Sequence, residues 1–109
     1  MKVVINTSHG GYRLSKDAAK ALRELNPSWK GVSYRDFSSF LPRHDERLIQ
    51  VVELLGPQAS GPFSTLTVVS IDSTKYFIHE TEGRETVLTP DTIKWLGPEK
   101  SPTLQSLPE

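Results

Sequence analysis

The stretch Lys2-Val-Val-Ile-Asn-Thr-Ser-His-Gly-Gly-Tyr-Arg-Leu-Ser15 constrains this chain more than any other. Val3, Val4 and Ile5 form a continuous β-branched run, the pattern of a strand buried on both faces. Asn6 to Tyr12 reads as a turn in which Gly10-Gly11 permits positive φ angles. Ser15 then offers an N-cap, with Asp17 in the first turn of the helix that follows. A strand–turn–helix junction gathers backbone N–H groups and a positive helix end at one point, which suits an anion. It equally suits the start of an ordinary helix.

The remaining pattern predicts an α+β domain. Leu14, Ala18, Leu22 and Leu25 fall at helical spacing, and Asn26-Pro27 ends that helix. Residues 28–43 read as an irregular, aromatic-rich connection with a short strand at Val32–Tyr34. A second helix is expected from about Asp45 to Leu55, with Leu48, Val52 and Leu55 inward and Gly56-Pro57 as its stop. Three strands follow, Ser64–Ile71, Lys75–Glu80 and Arg84–Leu88, the last two joined by a hairpin turn at Thr81-Glu82-Gly83. The expectation is a small, mostly antiparallel sheet with two helices packed on one face and the first strand beside 64–71. The domain is placed at 1–96, with a helical turn or short strand at 91–96, and 97–109 as a mobile tail.

Composition narrows the function classes. At 109 residues and 36% hydrophobic there is one modest core, and self-association is a common way for such a chain to bury more surface. Thirteen basic residues balance thirteen acidic ones, which argues against nucleic acid as the main partner. With no cysteine, thiolate metal sites and thiol nucleophiles are excluded. There is no apolar run long enough for a membrane span, and the start lacks the pattern of a secretory signal peptide.

No catalytic or cofactor motif stands out, so a non-enzymatic protein without a cofactor is expected. The dinucleotide pattern G-x-G-x-x-G and the P-loop pattern are both missing. Ser8 and His9 are adjacent, which is poor geometry for a nucleophile and its base. His9, His44 and His79 lie far apart in sequence, and no metal site is expected. The run Arg43-His44-Asp45-Glu46-Arg47, with Arg35-Asp36 upstream, reads as a polar contact surface, as an arginine site for phosphate or carboxylate, or as a self-paired helix start. If the glycine turn does take a nucleotide or phosphate, His9, Gly10, Gly11, Tyr12 and Ser15 are the candidate ligand-binding residues, with Arg13 or Lys16 to add charge. The aromatic set Trp29, Tyr34, Phe37, Phe40 and Phe63 either seals the core or anchors a partner. Trp29, Tyr34, Phe37 and Phe40 are the candidate interaction residues. The two-sided apolar hairpin 75–88 is an association hazard that pairing into a homodimer would cover.

Several of these residues together resemble a known family. Val3-Val4-Ile5-Asn6, Gly10-Gly11-Tyr12, Leu14-Ser15, Arg35-Asp36, Arg43, the segment Asp45 to Gly56, Gly83, Glu85 and Trp95 are similar to a widespread family of small uncharacterised proteins. Its mark is an N-terminal strand, a Gly-Gly-aromatic-x-Leu-Ser turn and an Ala-rich helix, and it occurs in bacteriophages, bacteria and large DNA viruses. Tyr12 and Arg13 stand where the family often shows phenylalanine and glycine. The resemblance covers about residues 2–96 and implies a viral or virus-like accessory protein, located in the virion or inside the host cell. It implies virion or host proteins as partners, and it brings no catalytic residues with it.

Overall fold

A computed structural model describes residues 1–90, so the expectations for 91–109 fall outside the described residues. The element order is β1 (Lys2–Asn6), α1 (Lys16–Leu25), α2 (Tyr34–Phe40), α3 (Glu46–Leu55), β2 (Leu66–Ser70), β3 (Phe77–Thr81) and β4 (Arg84–Leu88). Short 3-10 turns at Pro27–Trp29 and Gly56–Ala59 follow α1 and α3. The class is α+β, as the pattern predicts.

Local chemistry accounts for most of these boundaries. The Ser15 hydroxyl accepts the Ala18 N–H at 3.0 Å and starts α1 one residue later. Asp45 caps α3 the same way, accepting from Arg47 and Leu48 N–H at 2.8 and 3.1 Å. Gly56, at φ 58, ends that helix in a conformation that other residues rarely adopt. The hairpin turn places Glu82 and Gly83 at φ 52 and 87, the pair of positive values that a two-residue turn needs to match strand twist.

Leu14, Ala18, Ala19 and Leu22 from the α1 side meet Leu48, Val51 and Val52 of α3 in the core, joined by Val4 and Leu66 from the strands. Leu25, expected to face inward, is exposed at the end of α1. The connection 28–43 contains a helix instead of a strand. Ser33 caps α2 by accepting from Asp36 N–H at 3.2 Å, and Phe37 plugs into the core. Two turns rich in serine carry little helical periodicity, so tertiary burial of one ring decides this element.

Among the described residues the expected single sheet is two two-stranded antiparallel sheets, β1–β2 and β3–β4. β1 pairs β2 with Val4 opposite Val68. The other edge of β1 is closed by side chains and a loop instead of a third strand. Val4 N–H donates to the Arg43 carbonyl at 2.9 Å, the Arg43 guanidinium donates to the Val4 carbonyl at 3.3 Å, and Asn6 N–H donates to the Glu85 carboxylate at 2.9 Å. With those groups occupied, β4 approaches β1 without forming a ladder.

Candidate functional site

The glycine turn is clasped by two other segments. A Cβ on Gly10 would run into the backbone and Cβ of Phe63, and one on Gly83 would run into the His9 carbonyl. The Ser8 hydroxyl donates to the Phe63 carbonyl at 2.6 Å, and the Ser64 hydroxyl donates to the Gly11 carbonyl. Close approach is therefore used for packing the turn against residues 61–64 and the hairpin tip. Ser15 is engaged twice, donating to the Gln58 carbonyl at 2.6 Å while it caps α1. His9 is exposed, with Nδ1 3.3 Å from the Glu82 carbonyl. It borders the same shallow depression as His79, whereas His44 sits 2.7 Å from the Tyr76 hydroxyl. Four of the ligand candidates, residues 9–12, are consecutive and Ser15 stands three positions on as the α1 cap, but Gly10 and Ser15 already serve the fold.

Behind the turn lies a buried polar cluster. Arg43 makes a two-pronged ion pair with Glu85, at 2.6 and 2.8 Å. Its guanidinium lies 3.5 Å from the centre of the Tyr12 ring. Burial pushes the Tyr12 hydroxyl pKa up to about 12, against the opposing pull of Arg43. That hydroxyl is buried and has no hydrogen-bond partner among the described residues. Beside it, the fully buried Asn6 side chain donates to the Ser8 and Gly83 carbonyls at 2.7 and 2.8 Å and accepts from Thr65 N–H at 2.8 Å. Asn6, Gly10, Tyr12, Arg43, Gly83 and Glu85 are therefore one assembly holding β1, the glycine turn and the hairpin in register.

The solvent side of that assembly is a cleft of about 400 Å³ lined by Tyr12, Arg13, Tyr34, Arg35, Ser38 and Pro62. The first turn of α2 supplies Tyr34 and Arg35, and the glycine turn supplies Tyr12 and Arg13. Ser38 ties the two walls together: its hydroxyl accepts from Leu14 N–H at 3.2 Å and donates to the Tyr34 carbonyl at 3.0 Å. Next to Pro62 stands Phe63, 83% exposed and held at φ 65.

The aromatic candidates divide. Phe37 is fully buried, so it is a core residue and not a contact anchor: no partner can reach a ring with no exposed surface. Trp29 packs edge-on against Phe37 and Phe40, at centroid distances of 5.5 and 5.9 Å, and carries Arg47 on its face at 4.3 Å. Phe40 remains 49% exposed, and Tyr34 borders the cleft. Arg35, Ser38 and Pro62 lie outside the site residues that the sequence predicts, and Arg13 enters there only as added charge beside the glycine turn. A signal for the two arginines exists, because the dipeptide Tyr-Arg occurs twice in the chain, at 12–13 and 34–35, and both copies line the cleft. No protein-family model, curated protein or solved structure matches this chain.

Proposed function

We propose that this chain is a non-enzymatic protein-interaction module whose partner contacts the face made by Phe63, Pro62 and the adjoining cleft. The observation that carries the reading is the state of Phe63. A bulky residue at φ 65 is conformationally costly, and 83% exposure leaves it little burial to offset that cost. An aromatic ring held in this way is suited to insertion into another protein. The neighbouring tyrosines and arginines belong to the residue types that dominate protein contact surfaces.

An open strand edge suited to self-association fits the same class of function. β3 pairs only with β4 among the described residues, and Phe77 stands 60% exposed on it, so antiparallel pairing of two β3 edges would give a homodimer. The resemblance to small phage and large-DNA-virus proteins supports a partner in the virion or the host cell.

The test uses Phe63→Gly. Glycine tolerates the positive φ, so the variant is expected to melt at least as high as the parent chain while losing partner capture from infected-cell extract. Retention of capture by Phe63→Gly would overturn the reading. Native mass spectrometry of the parent chain and Phe77→Lys checks the dimer, which the lysine is expected to split.

A further inference from the structure

We propose that the cleft between the glycine turn and α2 receives a phosphorylated tyrosine side chain of the partner protein. This rests on reading the Phe63 face as the contact surface. Of the chain's six arginines, Arg23 donates to the Val32 carbonyl and Arg84 borders the depression beside His9 and His79, both away from the cleft, and the other four fall into two pairs. Arg43 and Arg47 each pair with a carboxylate, Glu85 and Asp45, and each lies over an aromatic ring. Arg13 and Arg35 have no ion-pair partner among the described residues, and both border the cleft. Arg35 is exposed, with its guanidinium carbon 5.7 Å from the Tyr34 ring centre.

Among the described residues that line it, the cleft has two arginines and no acidic side chain. A phosphate monoester near neutral pH carries nearly two negative charges and three acceptor oxygens, a match for two guanidiniums that a single carboxylate does not make. The Tyr12 and Tyr34 rings favour an aryl group beside that phosphate. The volume of about 400 Å³ lies at the small end of ligand sites, with room for one ring and its phosphate. Pro62 lines the cleft and the exposed Phe63 follows it directly in the chain, so a partner that contacts Phe63 can present residues flanking a phosphotyrosine to the cleft. That continuity favours a protein-borne group over a free nucleotide.

The experiment is an NMR and calorimetric titration of the full chain with phenyl phosphate, AMP and inorganic phosphate. Phenyl phosphate is expected to saturate in the low-millimolar range, shift the Tyr34 and Ser38 signals, and bind at least about tenfold tighter than inorganic phosphate. Arg13→Gln and Arg35→Gln, both at exposed positions, are each expected to weaken it about tenfold with an unchanged melting temperature. Binding of AMP as tight as phenyl phosphate, or equal binding by the two glutamine variants and the parent, overturns the proposal. Phe63→Gly separates the two readings, since it leaves both arginines in place. Lost partner capture with no phenyl phosphate binding in the parent overturns only this inference. Phenyl phosphate binding together with retained capture in Phe63→Gly overturns only the earlier one.

Discussion

Arg43 and Glu85 stand 42 positions apart and meet in a two-pronged ion pair that closes the free edge of β1. The Glu85 side chain is 7% exposed and that of Arg43 20%. Glu85 also accepts the Asn6 N–H, taking the place of a carbonyl from a neighbouring strand. One carboxylate therefore satisfies a guanidinium and a strand edge at once.

Removing that carboxylate leaves a mostly buried cation and a backbone donor unmatched. Glu85→Ala is expected to lose about 3–5 kcal/mol in denaturant unfolding. Glu85→Gln, which still offers an oxygen to Asn6 N–H, is expected to lose less. The exposed Lys2–Glu53 pair, also at 2.8 Å, is the contrast: Lys2→Ala is expected to change stability by less than about 1 kcal/mol.

Tyr12 makes an alkaline prediction. Its folded pKa of about 12 lies above the ordinary value of 10.0, so the unfolded chain releases this proton first as pH rises. Stability is fully present below pH 10 and is lost progressively between pH 10 and 12, by an amount on the order of 2 kcal/mol. Tyr12→Phe removes that loss. It also deletes a buried hydroxyl with no partner among the described residues, so the variant is expected to gain about 1 kcal/mol at neutral pH. Chemical denaturation of both proteins across this pH range checks both statements.

Asp45 makes the acidic counterpart. Partial desolvation raises its pKa, but hydrogen bonds from the Arg47 side chain and the Leu48 and Arg47 N–H groups outweigh this and hold it below the ordinary carboxylate value. Its contribution is therefore present above that ordinary value and fades as pH falls through the lowered one. Asp45→Ala is expected to cost about 1 kcal/mol through loss of the α3 cap. Asp45→Asn keeps a capping oxygen and is expected to flatten the acid limb of the stability profile.

Two glycines are expected to be intolerant for different reasons. Gly83→Ala combines positive φ with collision against the His9 carbonyl, and Gly10→Ala collides with the Phe63 backbone. Each is expected to lose more than about 2 kcal/mol in thermal or denaturant unfolding. Gly11 also has positive φ, at 87, but open space around its missing side chain. Gly11→Ala is expected to cost only about 1 kcal/mol, and equal losses at all three positions would contradict the clasped-turn geometry.

By itself the sequence determined the elements whose causes are local. β1 follows from three adjacent β-branched residues, α1 and α3 from apolar spacing with Ser15, Asp45 and Gly56 at their ends, and the hairpin from Glu82-Gly83. Each signal lies within a few positions of the structure it produces. The tertiary structure alone decided the rest. α2 exists because Phe37 has a core to enter, and the strands divide into two sheets because Arg43 and Glu85 occupy the edge of β1. The cleft needed Tyr12-Arg13 and Tyr34-Arg35 to converge from separate segments. Ion pairs and clefts between distant positions leave no period or cap in the chain, since their energy comes from burial that exists only after folding.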